Sequence, residues 1–252
     1  MKRHLPNALT CLNLLCGCLA LTFIFQGSLV TAAYFVGLGA VADFFDGLVA
    51  RALRVSSPIG KDLDSLADMV SFGVVPGAIM FKLLQKTLPP PTFGYLEMFS
   101  AKSFFIPFCG FLITIFSALR LAKFNNDTRQ TTSFIGLPTP ACTLVVASLP
   151  LILAGDEFGL AGFILNPWVL LGLTVVLSGL LVAELPLFAL KFKNLRWLGN
   201  RRRFLFVVLA LGLVGWLRAA GVPLAVLLYV LLSVPGRVRS RDLAEAGAGG
   251  PQ

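Results

Sequence analysis

Charged side chains are scarce in this chain of 252 residues, which holds 21 Lys and Arg and 12 Asp and Glu, or 13% of the total. Soluble domains carry about 25% charged residues because their surfaces face water. Hydrophobic residues make up 57% of the chain, and the mean hydropathy is +0.85. The shortage of charge excludes an ordinary soluble enzyme, a disordered protein and a nucleic-acid-binding domain, so we expect no nucleic acid partner.

Histidine and spaced cysteine pairs are also lacking. The single histidine, His4, cannot complete a zinc site, and the five cysteines form neither a C-x-x-C nor a Cys/His pattern. They lie inside apolar stretches, where packing as a small hydrophobic residue is the usual role of a free thiol. These cysteines are Cys11, Cys16, Cys18, Cys109 and Cys142. The sequence therefore offers neither a zinc site nor a disulfide framework.

Long hydrophobic runs are abundant, and they lack the alternating ten-residue pattern of an outer-membrane barrel. Residues 1–240 are therefore predicted to form one all-α, polytopic membrane bundle of about eight transmembrane helices. The last two runs are short and could instead form one re-entrant hairpin, and the tail 241–252 is expected to be disordered. The runs cover residues 8–26, 30–53, 62–86, 103–123, 139–155, 168–184, 203–218 and 221–236.

The basic residues predict the orientation of the bundle. If the N-terminus is cytoplasmic, 17 of the 21 Lys and Arg fall in cytoplasmic segments and four fall outside. Cytoplasmic loops of membrane proteins carry an excess of Lys and Arg. We therefore expect an inner-membrane protein whose two termini face the cytoplasm.

Acidic residues are concentrated in one region. Asp43 and Asp46 are three residues apart near the end of the second run, and Asp64 and Asp68 are four apart at the start of the third. These spacings place each pair on one helix face. Because a short loop joins the two helices, they should be antiparallel neighbours, and the four carboxylates should converge on one cytoplasmic cavity.

Clustered carboxylates repel one another in a medium of low dielectric unless a cation compensates them. Mg²⁺ and Mn²⁺ prefer such oxygen ligands, and two of these ions would suit a phosphate-bearing substrate. The nearby Gly47, Ala50 and Gly60 leave room for a bulky group, and Arg51 is placed to meet a phosphate. A membrane cation transporter is the alternative, but transport predicts polar residues that continue to the opposite face.

The string Asp43-x2-Asp46-Gly47-x2-Ala50-Arg51-x8-Gly60-x3-Asp64-x3-Asp68 resembles the complete signature of the CDP-alcohol phosphatidyltransferase family. The resemblance implies a membrane enzyme, commonly dimeric, with a six-helix core that here would be followed by two more helices. Such enzymes transfer a phosphatidyl group from a CDP-linked lipid to an alcohol and release CMP.

The resemblance also implies roles for the signature residues. Asp43, Asp46 and Asp64 would be the main metal ligands. Asp68 would complete the metal site and act as the general base on the acceptor hydroxyl. The nucleotide pocket would be lined by Gly47, Ala50, Arg51 and Gly60.

Further segments are similar to the branch of the family that uses serine, which implies CDP-diacylglycerol and L-serine as substrates of a homodimer. Serine carries a carboxylate, so its binding site needs a cation, and Arg120 is the candidate. Asn125 and Ser71 are further serine-binding candidates. Lys123 stands where this branch often has Arg. Glycerol 3-phosphate or an inositol phosphate remains an alternative acceptor. The similar segments are 6–14, 64–76, 119–125 and 134–141.

Overall fold

The fold is given by a computed structural model, which describes residues 4–55, 57–88, 101–126, 133–156, 158–188 and 201–233. The predicted tail 241–252 lies outside the described residues. The helices are α1 His4–Phe25, α2 Leu29–Leu53, α3 Pro58–Met69, α4 Val75–Lys86, α5 Ala101–Phe108, α6 Leu112–Asn126, α7 Thr139–Gly155, α8 Ala161–Ile164, α9 Pro167–Val182, α10 Arg201–Leu217 and α11 Gly221–Ser233. A π-helical turn, Val70–Val74, joins α3 to α4, and short 3₁₀ turns, Cys109–Phe111 and Arg218–Ala220, precede α6 and α11.

Each predicted hydrophobic run coincides with helix in the described residues, so the all-α membrane bundle is confirmed. Two of the helices, α7 and α9, are apolar but shorter than a typical span. Five helical stretches are long and apolar enough to cross a membrane: His4–Phe25, Leu29–Leu53, Pro58–Lys86, Phe105–Asn126 and Arg203–Ser233.

The last of these stretches is a helical hairpin rather than one continuous helix. Arg218 has a positive φ of 49°, and a Cβ on Gly221 would collide with the backbone carbonyl of Leu213. The chain therefore reverses at this point, and α10 packs against α11. Whether these two helices cross the membrane separately or form one re-entrant hairpin stays a prediction.

Large apolar side chains cover the outside of the bundle. Trp168 and Trp216 are 78% and 82% exposed, and Phe25 is 76% exposed. A water-soluble monomer rarely presents so much apolar surface, whereas a bilayer solvates it. The polar residues within the helices are instead largely internal, and several of them surround the carboxylates.

The connection between α2 and α3 sets the position of the acidic residues. Arg54 takes a left-handed conformation with φ 52°, as residues that end a helix often do, and its N–H donates to the Arg51 carbonyl. Ser57 then caps α3, because its hydroxyl accepts a hydrogen bond of 3.0 Å from the Gly60 N–H, and Pro58 starts the helix. The connection brings the end of α2 to the start of α3, and α1 packs against both helices.

The π-helical turn follows Asp68 by one residue and is held by two other helices. Pro76 lacks the N–H that an α-helix would offer to the Phe72 carbonyl. Thr143 of α7 donates to that carbonyl at 3.0 Å, and Thr114 of α6 donates to the Gly73 carbonyl at 2.9 Å. Since these hydroxyls satisfy the backbone, the irregular turn is stable inside the bundle.

A short antiparallel pair of strands was not predicted from the sequence. Strand β1, Ser133–Ile135, pairs with β2, Pro186–Phe188, so that Phe134 faces Leu187. Gly136, with φ 79°, follows β1 where a Cβ would press on the Leu181 carbonyl. This pairing ties the start of α7 to the end of α9. It escapes sequence reasoning because the two three-residue segments are far apart in the chain.

A close backbone contact at Gly110 predicts a stability difference between two glycines. A Cβ on Gly110 would lie 2.6 Å from the Phe81 backbone nitrogen, whereas no described atom lies within 4 Å of a Cβ on Gly172. Gly110→Ala should lower the free energy of unfolding by ~1–3 kcal/mol through overpacking. Gly172→Ala should be neutral or should add up to ~1 kcal/mol from helix propensity.

Melting temperatures of the two variants in the same detergent, followed by circular dichroism, test this difference. Equal melting temperatures would contradict the close backbone contact at Gly110.

Candidate active site

Three of the four predicted metal ligands meet at one point. Oxygen atoms of Asp43 on α2 and of Asp64 and Asp68 on α3 lie within 4.8 Å of one another. Asp43 lies as many residues before the end of α2 as Asp68 lies after the start of α3, so the two reach the same depth. All three carboxylates are partly buried. Such a set of oxygen ligands fits a hard divalent cation.

The fourth aspartate, Asp46, lies beside this cluster and is more deeply buried, with 6% of its surface exposed. Its Oδ2 accepts a hydrogen bond of 2.7 Å from the Thr10 hydroxyl of α1. The side chain also lines the same pocket as Asp64. The structure thus brings all four aspartates to one region, with three in the tight cluster and one at the pocket wall.

Helix α1 supplies a second contact to the carboxylates through Asn13, which is fully buried. Its Nδ2 donates to Oδ1 of Asp68 at 3.4 Å. The backbone carbonyl of Asn13 accepts a hydrogen bond of 3.0 Å from the Ser71 hydroxyl. Its side-chain oxygen, Oδ1, lies against Gly39 of α2. Sequence reasoning assigned no role to Thr10 or Asn13. The sequence feature that could have identified them is their spacing of three residues, which places both on one face of an apolar helix.

A pocket of about 250 Å³ opens beside the aspartates between α1, α2 and α3. Gly47, Ala50 and Gly60 line it, as sequence reasoning expected of a nucleotide pocket. A Cβ on Gly60 would lie 3.1 Å from Oδ1 of Asn7, so glycine keeps this wall open. Arg51 is exposed and is not among the lining residues. Sequence reasoning missed other lining residues, which include Asn7, Thr10, Ser57 and Lys61.

Arg120 is buried in α6, with 8% of its surface exposed. One of its terminal nitrogens, Nη1, donates to the Thr139 hydroxyl at 3.3 Å, and the guanidinium lies 5.5 Å from the centre of the Phe124 ring. Its buried Nε has no hydrogen-bond partner among the described residues. Helix α6 packs against α3 and against the π-helical turn that follows Asp68. A buried cation with a spare donor therefore lies on a helix that contacts the carboxylate-bearing α3.

The other two serine-binding candidates already have protein partners. Nδ2 of Asn125 donates to the Ser65 hydroxyl at 2.9 Å, and Nζ of Lys61 donates to the Asn125 carbonyl at 3.5 Å. Both contacts link the end of α6 to α3. Ser71 is 2% exposed and donates to the Asn13 carbonyl. A serine-binding role for Asn125 or Ser71 stays a prediction.

Comparisons with known proteins show the family of this chain. Residues 3–183 match the family profile described as CDP-alcohol phosphatidyltransferase. A Bacillus subtilis protein named CDP-diacylglycerol–serine O-phosphatidyltransferase is 34% identical over 163 residues, which are 63% of this chain and 84% of that protein. A Helicobacter pylori protein of the same name is 32% identical over 213 residues, covering 83% of this chain and 80% of its own.

A Saccharomyces cerevisiae protein of that name is 36% identical over 162 residues, which cover 58% of this chain and 53% of that protein. The family match covers α1 to α9 and includes every position of the aspartate motif. It gives no support to the cation transporter that the sequence left as an alternative. The chain belongs to the CDP-alcohol phosphatidyltransferase family.

Proposed function

We propose that this protein transfers the phosphatidyl group from CDP-diacylglycerol to L-serine, giving phosphatidylserine and CMP. The observation that carries the proposal is the meeting of Asp43, Asp64 and Asp68 beside a pocket lined by the small residues of the same motif. Family membership supports the reaction class, and the names of the relatives support serine as the acceptor.

The aspartates would hold two divalent ions, Mg²⁺ or Mn²⁺. Asp43, Asp64 and Asp68 offer clustered oxygen ligands, and Asp46 offers a further carboxylate at the pocket wall. When bound, the ions supply positive charge that neutralises the diphosphate and the departing CMP. Thr10 keeps Asp46 in one orientation by its hydrogen bond, as groups behind metal ligands commonly do.

The pocket between α1, α2 and α3 would receive the cytidine nucleotide. Gly47, Ala50 and Gly60 supply its open wall, and a nucleotide needs this space because its ring and ribose are bulky. Arg51 is exposed near this wall on α2, where its guanidinium can contact a phosphate at the pocket rim. The lipid chains of the substrate would remain in the bilayer outside the bundle.

Asp68 would act as the general base on serine. A hydroxyl is a weak nucleophile at neutral pH, so a base within hydrogen-bond reach is needed. The serine oxygen would form a bond to the lipid-linked phosphorus while the bond from that phosphorus to CMP breaks, and the hydroxyl proton would pass to Asp68. The amide of Asn13 restrains Oδ1 of Asp68, which leaves Oδ2 for this task.

Arg120 would bind the serine carboxylate. Its guanidinium is buried near Asp68 and has a spare donor at Nε, and a carboxylate is the natural partner of such a group. Acceptors such as glycerol 3-phosphate or an inositol phosphate carry a phosphate, which calls for several cations. Among the described residues, Arg120 is the buried cation near the aspartates. One cation matches the single carboxylate of serine, which favours serine as the acceptor.

The enzyme would lie in the inner membrane as a homodimer, with its active site and both termini in the cytoplasm. The basic loops support the orientation, and the water-soluble serine and CMP are cytoplasmic molecules.

Reporter fusions at the C-terminus test this arrangement. A fluorescent protein that matures only in the cytoplasm should be bright, and alkaline phosphatase, which is active only outside it, should be silent. Active phosphatase would contradict the orientation.

Metal binding by the aspartate cluster predicts that substitutions of two nearby residues on α3 change the Mn²⁺ affinity by different amounts. Asp64→Asn should weaken Mn²⁺ binding by about tenfold or more, because even groups behind metal ligands change affinity by that factor. Asp62→Asn is the matched control, since Asp62 is exposed on the same helix and outside the cluster. Electron paramagnetic resonance of free Mn²⁺ over purified protein measures both affinities. Equal weakening by the two variants would contradict the site.

The activity itself is tested with CDP-diacylglycerol, Mn²⁺ and labelled serine in detergent micelles. Wild type and Asp62→Asn should form labelled lipid and release CMP. Asp68→Asn should lose about a hundredfold or more in kcat, because general-base catalysis contributes about 10²–10⁴-fold. If wild type makes no labelled lipid, serine is not the acceptor. Near-native turnover by Asp68→Asn would exclude it as the base.

A further inference from the structure

Lys61 lies on α3 at one of the x positions of the aspartate motif, between Gly60 and Asp64, so the motif itself assigns it no role. In the structure it lines the pocket between α1, α2 and α3, together with these two residues. Among the described residues that line this pocket, Lys61 is the one with a positive charge. Arg51, which sequence reasoning assigned to a phosphate, is not a lining residue.

Helical spacing places Lys61 on the face of α3 that carries Asp64. The two residues are three apart, so their Cβ atoms are neighbours at about 5–6 Å on the helix surface. The intervening Asp62 is exposed and does not line the pocket. Lys61 therefore combines an exposed side chain with a place on the pocket wall, within one helical turn of a carboxylate of the cluster.

The ammonium of Lys61 is only weakly held by the protein. Its Nζ lies 3.5 Å from the Asn125 carbonyl on α6, beyond the usual range of about 2.7–3.2 Å for such a hydrogen bond. An ammonium has three donors, and this long contact is the one hydrogen bond that the described part of the chain gives it. Because the contact is also exposed, giving it up costs little, and donors remain for a ligand.

The charge in this pocket suits a phosphate only if cations are present. Asp46 and Asp64 line the same pocket, and their carboxylates repel an anionic ligand. Divalent ions would offset that repulsion at the aspartates. The phosphate of CMP gains negative charge as it departs, and a lysine ammonium on the pocket wall is a common ligand for such a group.

We propose that Lys61 binds the phosphate group that stays with cytidine, both in CDP-diacylglycerol and in the released CMP. Lys61 is then a binding residue for the nucleotide and takes no part in selecting the acceptor. This inference rests on the proposed function, because it names a further ligand of the nucleotide in the same site.

Equilibrium dialysis of labelled CMP and labelled cytidine against the purified protein with Mn²⁺ tests the inference without the acceptor. Lys61→Gln should raise the Kd for CMP about tenfold, equivalent to ~1.4 kcal/mol. The Kd for cytidine should stay unchanged, because cytidine lacks the phosphate. Lys61→Arg keeps the charge, so its Kd for CMP should stay within about threefold of the wild-type value.

Lys86→Gln is the matched control, because it makes the same change at an exposed lysine that ends α4 and lies outside this pocket. It should leave both dissociation constants unchanged. The Mn²⁺ affinity and the melting temperature of every variant should equal those of wild type, which excludes a loss of metal or of folding as the cause.

Several results would overturn the inference. An unchanged Kd for CMP in Lys61→Gln would leave Lys61 as a charge that only orients the bundle. Equal weakening of CMP and cytidine would show an effect on pocket shape, and equal weakening of CMP by Lys86→Gln would show an effect of overall charge. A loss with Lys61→Arg as large as with Lys61→Gln would show that charge is not the cause.

The dialysis also separates the inference from the proposed function. If wild type binds CMP but makes no labelled lipid from serine, the proposed acceptor fails, and the role of Lys61 is decided by the dialysis alone. If wild type makes labelled lipid but Lys61→Gln binds CMP normally, the inference fails and the proposed function stands. If wild type binds no CMP, both fail.

Discussion

Mutual repulsion among the aspartates is the constraint on which the rest of the structure depends. Oxygen atoms of Asp43, Asp64 and Asp68 lie within 4.8 Å, inside helices whose outer surfaces are apolar. In such surroundings water screens charge poorly, so ionised carboxylates separate unless the backbone holds them or a cation compensates them. Divalent ions can compensate the charge. Holding the carboxylates together requires a frame that keeps α2 and α3 in one register.

That frame is made of hydrogen bonds that end or interrupt helices. The left-handed Arg54 ends α2, the Ser57 cap fixes where α3 starts, and the π-helical turn fixes how α3 continues into α4. Pro76 leaves a carbonyl free in that turn, which Thr143 satisfies from another helix. A π-helical turn inside a longer helix often marks a functional site, and here it begins two residues after Asp68. The irregular backbone therefore lies where the chemistry requires a defined side-chain direction.

Much of this arrangement is readable from the sequence, and the reasons are local. An apolar run long enough to span a bilayer must satisfy its backbone internally, so its helical form is determined by length and composition. Helical spacing placed Asp43 with Asp46 and Asp64 with Asp68, and the short connection joined the two helices at one end. The positions of Gly47, Ala50 and Gly60 on the pocket wall follow from the same geometry. The two-stranded pairing and the contacts of Arg120 depend on segments that are remote in the chain, for which helical spacing carries no information.

The sequence by itself determined the class of solvent, the helical runs, the family motif and the clustering of the aspartates. Tertiary structure alone decided which other groups touch the aspartates, namely Thr10 and Asn13 from α1, and it placed Thr139 beside Arg120. The physical reason is that spacing along a helix fixes which residues share a face, whereas packing between helices decides what that face meets. The sequence of an apolar helix does not show what a hydroxyl or an amide on that helix contacts. The role of such a group depends on the residues that face it across the helix interface.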